Sequence, residues 1–208
     1  MDFRAQLAAF PLIAILRGVK PDEIVGVGDA LVEAGFRIIE VPLNSPEPLK
    51  SIGTLARRHP GVLVGAGTVL DPADVDRIRD VGGRLIVMPH ADVEVIDRAK
   101  QLGLACTPGA ATPTEAFAAL KAGADAVKMF PAEMLPPAIV KAWRAVFPAE
   151  VPLMPVGGVR PETMLAYWQA GARGFGLGSA LYQPGMSGAE VSVTSAAFAR
   201  AVAELPGR

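Results

Sequence analysis

A recurring glycine signal constrains the fold of this chain more than any other feature of the sequence. A glycine just past a helix adopts the left-handed cap conformation without steric cost. Such glycines recur here at intervals of about 20 to 25 residues, or about twice that, which is typical of a repeat that alternates strand and helix. The signal is an Ala, Leu or Gly followed by Gly and a β-rich run, at Ala34-Gly35, Gly82-Gly83, Leu102-Gly103, Ala122-Gly123 and Ala170-Gly171.

Eight short apolar runs lie between these signals, and we interpret them as parallel strands covered on both faces. The stretches between them are amphipathic, and those at 72–81 and 113–122 begin with proline. Asp71 and Thr112 precede these prolines as N-cap residues. The predicted strands are Leu12–Arg17, Phe36–Val41, Leu63–Val69, Arg84–Pro89, Ala105–Gly109, Ala126–Pro131, Pro152–Gly157 and Gly174–Ser179.

Eight strand–helix units in one chain predict an α/β protein, a single (β/α)8 TIM barrel with parallel strands and about the minimum size for that fold. The predicted domain spans residues 1–208 and is not divided by a linker or a change in composition. It has a short N-terminal lead-in at 1–11 and ends with a C-terminal helix at about 188–205.

Composition excludes several classes of partner. The chain has 208 residues, 51% hydrophobic and 20% charged, with a formal net charge of -1, so no basic excess favours nucleic acid or an anionic membrane. The one cysteine, Cys106, forms no internal disulfide, which is typical of a reducing compartment. Neither a signal peptide nor an apolar run of roughly 20 residues is present. We therefore expect a soluble cytoplasmic protein.

Three of the predicted strands carry a charged side chain in their C-terminal part. In a TIM barrel the active site lies at the C-terminal ends of the strands. Arg17 ends the first strand, Glu40 and Thr68 lie near the ends of the second and third, and Lys128 lies in the sixth. These charges form either a structural ion-pair network or a site, and their occurrence on three separate strands favours a site.

The chemistry of these residues favours carbon–carbon bond cleavage. A desolvated lysine such as Lys128 is an amine nucleophile that forms a Schiff base with a keto substrate. Glu40 is the carboxylate available to move protons, and Arg17 suits a substrate carboxylate. The sequence thus predicts a lysine-dependent aldolase.

Glycine turns after the last two predicted strands indicate a phosphate site. Gly157-Gly158 precedes the start of a helix, and Gly178-Ser179 follows the eighth strand. Loops at these positions often bind phosphate through backbone N–H groups, although Gly157-Gly158 alone also fits a plain tight turn. We therefore expect a phosphorylated small molecule as the substrate.

Metal chemistry has little support in the sequence. The two histidines, His59 and His90, show no metal-ligand spacing, and Cys106 fits a core position better than a nucleophile. A magnesium site built of carboxylates alone stays open on the sequence. We predict no metal and no cofactor.

Seven motifs along 11–182 resemble those of the class I keto-3-deoxy-6-phosphosugar-acid aldolases. The resemblance implies a homotrimer of (β/α)8 barrels that cleaves a phosphorylated keto sugar acid to pyruvate and glyceraldehyde 3-phosphate without a metal. It implies that Lys128 forms the Schiff base and that Glu40 is the proton donor and acceptor. It also implies that the substrate is bound by Arg17, Thr68, Gly158, Gly178 and Ser179. Further contacts with the substrate are expected at Pro89, Phe130, Val156 and Gly157. The motifs are PLIAILRG, GFRIIEVPLNSP, VGAGTVL, CTPGAATPTEA, AVKMFPAE, PVGGV and GLGSALY.

Three positions favour the galactonate branch of that family over the gluconate branch. Gluconate-specific relatives typically carry arginine in place of Asn44, lack the arginine matched by Arg17, and carry threonine in place of Val156. The gluconate epimer, with or without 4-hydroxy-2-oxoglutarate as a further substrate, stays open on the sequence. So do two other functions, that of a sugar-phosphate epimerase or isomerase and that of a non-enzymatic sugar-phosphate-binding protein.

Overall fold

Short strands alternate with helices throughout residues 2–207, the part of the chain that this computed structural model describes; Met1 and Arg208, the ends of the predicted domain, lie outside it. The strands are β1 Leu12–Ile15, β2 Ile38–Pro42, β3 Leu63–Gly67, β4 Leu85–Val87, β5 Ala105–Thr107, β6 Gly109–Ala110, β7 Val127–Met129, β8 Leu153–Pro155 and β9 Phe175–Leu177. The α-helices are α1 Phe3–Ala9, α2 Ile24–Glu33, α3 Pro48–Arg58, α4 Pro72–Asp80, α5 Val93–Gln101, α6 Pro113–Lys121, α7 Pro137–Arg144, α8 Pro161–Gln169 and α9 Gly188–Ala203.

The strands form two parallel sheets. One has the order β5-β4-β3-β2-β1-β9 and the other the order β6-β7-β8. A strand lies at each of the eight predicted places, and the predicted fifth strand is divided into β5 and β6 at Pro108, which has no N–H to donate to a ladder. The sheets also approach each other at a parallel bridge between Val156 and Gly176. The α/β class and the parallel strands are therefore confirmed.

The predicted helix ends are confirmed with one correction. Asp71 accepts a hydrogen bond from the Ala73 N–H at 2.8 Å, and Thr112 forms a capping box with Glu115. After α4, however, Gly82 rather than Gly83 has the positive φ, of 95°. The reason is that α4 ends at Asp80, two residues before the turn.

The C-terminal helix α9 begins at Gly188 as predicted and ends at Ala203. Ser187 and Glu190 form a capping box at its start, and its buried side chains pack it against the protein. Among the helices in residues 2–207, none has the length and apolar character needed to cross a membrane.

Helix α1 lies inside the predicted lead-in, where we expected no element. Asp2 caps it by accepting a hydrogen bond from the Arg4 N–H at 2.9 Å. Phe3 and Leu7 lie one turn apart on its buried face. A helix of 7 residues is too short to give a periodic signal in the sequence, and its burial depends on strands much later in the chain.

An apolar cluster lies between α1 and the strands, on one side of the charged residues of the site. The cluster joins Phe3 and Leu7 to strand side chains that include Ile38 and Ala126. Because side chains alternate along a strand, Glu40 and Lys128, two residues further on, point to the same side as Ile38 and Ala126. The sheet geometry thus places a carboxylate and an ammonium group directly beyond an apolar layer.

We predict that Leu7→Ala lowers the free energy of unfolding by about 2 to 4 kcal/mol, because it opens a cavity in this buried cluster. Leu7 is 3% exposed. Urea denaturation measures the change. The control Ala8→Gln, on the exposed side of α1, should change stability by less than about 0.5 kcal/mol. Equal losses in the two variants would contradict the role of α1 in the core.

Candidate active site

A cavity of about 730 Å³ lies at the C-terminal ends of β1, β7, β8 and β9. Its lining includes eight of the predicted site residues: Arg17, Lys128, Phe130, Val156, Gly157, Gly158, Gly178 and Ser179. Glu40, Thr68 and Pro89 are not among the lining residues. Glu40 is buried, with an exposed fraction of 1%, and Thr68 contacts Arg17. The structure therefore brings most of the predicted residues to one place.

Lys128 lies in β7, and its side chain is 6% exposed. Its Nζ is 4.6 Å from the centroid of the Phe130 ring, which forms an apolar wall beside it. Burial lowers the pKa of the Lys128 ammonium, the Glu40 carboxylate raises it, and the Arg17 charge lowers it further. The net direction is downward, which raises the fraction of the neutral amine, the form of a lysine that acts as a nucleophile.

Glu40 lies in β2, and its buried Oε2 has no hydrogen-bond partner among the residues that the structure describes. Burial raises the pKa of Glu40 to about 7, although the Lys128 and Arg17 charges oppose the shift. A side chain at Gly67, in the adjacent β3, would collide with this carboxylate, so glycine at 67 leaves the room that Glu40 occupies. A carboxyl group with a pKa near neutral pH both takes and gives protons efficiently.

Arg17 extends from the end of β1 to residues that follow the next two strands. Its Nη1 donates to Asn44 Oδ1 at 2.6 Å, and Nη1 and Nη2 both donate to Thr68 Oγ1 at 3.4 Å. Thr68 has a φ of 56°, in the left-handed region that a non-glycine residue seldom adopts. A strained residue of this kind is often part of a functional site.

The glycine turn after β8 has the left-handed backbone that its sequence suggests. Gly157 and Gly158 have φ values of 112° and 61°, and a side chain at Gly157 would collide with the Glu133 carboxylate. Arg160, the N-cap of α8, also lines the cavity. An arginine side chain has no acceptor atom with which to cap α8, and the start of a helix without such a cap favours an anion.

Sequence reasoning missed several residues of this cavity, among them Glu133, Arg160, Tyr182 and Gln183. The Tyr182 hydroxyl donates to Glu23 Oε2 at 3.3 Å, and burial, with the Glu23 charge, raises the pKa of Tyr182 to about 12. Arg160 gave a usable signal, since it stands directly before the proline that begins α8. The packing of Glu133 on Gly157 gave none, because it depends on the fold.

Cys106 and the two histidines, for which the sequence predicts no catalytic or metal-binding role, do not line the cavity. Cys106 is fully buried, and burial raises the pKa of its thiol to about 12. His90 Nε2 is 3.8 Å from Asp92 Oδ2 at the surface. Within residues 2–207, no three His, Cys, Asp or Glu side chains are grouped as metal ligands.

The family follows from comparison with known proteins. The sequence model of the KDPG and KHG aldolase family matches residues 3–201 of this chain. The chain therefore belongs to the KDPG and KHG aldolase family, a family of lyases.

Three relatives are particularly similar to this chain. A probable 2-dehydro-3-deoxy-6-phosphogalactonate aldolase of Rhizobium meliloti (strain 1021) is 52% identical over 87% of this chain and 86% of its own length. The 2-dehydro-3-deoxy-6-phosphogalactonate aldolase of Escherichia coli (strain K12) is 46% identical over 93% and 95%. A solved native KDPGal structure superimposes with a TM-score of 0.92 at 45% identity, covering 94% of this chain and 95% of its own.

We predict that Glu40→Gln changes the pH dependence of stability. The pKa of Glu40 is raised from its ordinary 4.5 to about 7, so its stabilising contribution is complete below pH 4.5 and is lost as pH rises to about 7. Glutamine has no ionisable carboxyl group, so the variant lacks this pH-dependent contribution to stability. The free energy of unfolding of Glu40→Gln, relative to the unaltered protein, should therefore rise by about 1 to 3 kcal/mol between about pH 5 and pH 8.

Urea denaturation at the two pH values measures this difference. The matched control is Glu204→Gln, at the exposed end of α9, which should show the same small difference at both. A Glu40→Gln difference that does not vary with pH would contradict the raised pKa.

Proposed function

We propose that this protein is a class I aldolase that cleaves 2-dehydro-3-deoxy-6-phosphogalactonate to pyruvate and D-glyceraldehyde 3-phosphate. The observation that carries the proposal is the buried Lys128, which lines the cavity and lies close enough to the buried Glu40 for each charge to shift the pKa of the other. The two relatives at 46% and 52% identity, both named for this activity, support the choice of substrate.

We also infer that residues 1–208 form one domain, in which the two sheets close into a single (β/α)8 barrel. Two observations support closure. Only Pro108 separates β5 from β6, and the bridge between Val156 and Gly176 links the end of β8 to β9. The resemblance to the family further implies a homotrimer.

In the proposed reaction, the neutral Lys128 amine attacks the C2 carbonyl of the keto acid. A carbinolamine forms, water leaves, and the resulting iminium withdraws electrons from the neighbouring carbons. Phe130 forms an apolar wall beside this centre. The surroundings of low polarity favour the neutral amine at the start of each cycle.

Glu40 then takes the proton of the C4 hydroxyl, directly or through a water, and the C3–C4 bond breaks. Glyceraldehyde 3-phosphate leaves, and the enamine is protonated at C3 to give the pyruvate imine. Hydrolysis of the imine takes up one water, which balances the water released when the iminium formed, and frees Lys128. A carboxyl pKa of about 7 lets Glu40 serve as base and then as acid.

The two ends of the substrate are bound by different parts of the cavity. Arg17 binds the carboxylate with Thr68, and Gly158, Gly178 and Ser179 bind the phosphate through their turns. The Arg160 guanidinium, which lines the same cavity, adds positive charge at the phosphate end. Pro89, Val156 and Gly157 are the remaining expected substrate contacts.

We predict that borohydride traps a pyruvate adduct on the peptide that contains Lys128, with peptide mass spectrometry as the measurement. Lys128→Ala should give no adduct and no cleavage, because the nucleophile is gone. Lys121→Ala, on the exposed surface of α6, is the control and should keep both. Cleavage without any trapped adduct would favour another mechanism, and binding without cleavage would favour a binding protein.

The choice of sugar epimer gives a second prediction. Val156 lines the cavity and offers no hydrogen bond to a sugar hydroxyl. We expect kcat/KM for the galactonate epimer to exceed that for the gluconate epimer by about tenfold or more, since hydrogen-bonding differences of this kind support such ratios. Paired rates on the two epimers decide the matter, and equal or reversed rates would assign the gluconate substrate.

A further inference from the structure

Within residues 2–207, the Arg17 guanidinium donates side-chain hydrogen bonds on one side only, to Asn44 and Thr68. Its five N–H donors lie in one fixed plane. Asn44 Oδ1 accepts from Nη1, and Thr68 Oγ1 lies at equal distances of 3.4 Å from Nη1 and Nη2, between the two. The donors that remain are Nε–H and the outer Nη2–H, which together form the opposite edge of the plane.

This remaining edge is the one that binds carboxylates elsewhere in the protein. Nε and Nη2 of Arg58 donate to the two Asp29 oxygens at 2.5 and 2.6 Å. Arg98 binds Asp76 through the same two atoms, at 2.8 and 2.5 Å. Two parallel hydrogen bonds of this kind give both affinity and direction.

Arg17 lies at the active-site cavity, close to the other charged residues of the site. Its side chain lines the same cavity as Lys128, and its charge lowers the pKa of both Lys128 and Glu40, so the guanidinium lies near both groups. A keto acid joined to Lys128 at its C2 carbon has a carboxylate on the adjacent carbon. That carboxylate therefore lies within the neighbourhood of Arg17.

We propose that Asn44 is a positioning residue that turns Arg17 so that its free Nε–Nη2 edge binds the carboxylate of the keto acid substrate. The proposal rests on the proposed function and extends it to a residue with no predicted contact to the substrate. Asn44 acts through Arg17 alone.

The hydrogen bond from Arg17 to Asn44 is the stronger of the two restraints on the guanidinium. At 2.6 Å it is short, whereas the contacts with Thr68, at 3.4 Å, are at the long limit for hydrogen bonds. Without Asn44, the exposed Arg17 side chain regains rotamer freedom that it must lose when the carboxylate binds.

The loop that carries Asn44 has a second, separate anchor. Ser45 Oγ accepts from the Gly18 N–H at 2.9 Å, which joins the same two loops without contacting the guanidinium. Ser45 is therefore a matched control, because its loss disturbs the loop and leaves the Asn44 hydrogen bond in place.

The experiment compares the unaltered protein with Asn44→Ala, using borohydride trapping of pyruvate on Lys128. We expect the pyruvate concentration for half-maximal trapping to rise about tenfold, equal to about 1.4 kcal/mol. KM for the phosphorylated keto acid should rise in parallel, with kcat changed by less than about threefold. Asn44→Asp, which keeps an acceptor oxygen at the same place, should restore pyruvate binding to within about threefold of the unaltered protein.

A double-mutant cycle separates orientation from other effects. In an Arg17→Ala background, Asn44→Ala should weaken pyruvate binding by less than about twofold, because the group that it orients is absent. Ser45→Ala, with Arg17 intact, should lower stability without raising the pyruvate concentration for trapping. If Asn44→Ala does not fold, Asn44→Ser replaces it, since the shorter serine side chain does not reach Nη1.

Three results would overturn the role of Asn44. They are normal trapping by Asn44→Ala, a full tenfold effect in the Arg17→Ala background, and an equal rise in Ser45→Ala. Each of these can occur while the unaltered protein still forms the pyruvate adduct. If the unaltered protein itself forms no adduct, the proposed aldolase function fails first.

Discussion

The burial of Lys128 beside Glu40 is the constraint on which the rest of this structure depends. Either charge alone is costly to bury, and the two together lower that cost without removing it. Burial shifts the pKa of the carboxyl group upward and that of the amine downward, toward each other. The raised pKa lets the Glu40 carboxyl group both take and give a proton near neutral pH, where an exposed glutamate would stay charged.

The surrounding scaffold maintains this pair from several directions. An apolar layer lies beneath it, Phe130 lies beside it, and Gly67 makes room for the carboxylate. Arg17 adds a third charge and links the ends of three successive strands through Asn44 and Thr68. These contacts join residues of three separate loops, so the site has its geometry only when the parallel strands are in register.

The sequence predicts what depends on local signals and misses what depends on register. The strands, the caps at Asp71 and Thr112, and the positions of Lys128 and Glu40 within strands all follow from apolar runs and from glycine and proline positions. The partners of Arg17 do not, because Thr68 is 51 positions away and its hydroxyl meets the guanidinium only after folding. Helix α1 was missed for a related reason, since its stability comes from packing against strands rather than from its own residues.

In the proposed reaction, the apolar layer between Lys128 and α1 also determines how water reaches the imine. Phe3, Leu7 and the strand side chains beneath the pair separate it from solvent at that end. Hydrolytic water then enters by the route through which the aldehyde leaves. The aldehyde would therefore leave before water reaches the imine and releases pyruvate. The apolar cluster thus gives the proposed reaction a fixed order of product release.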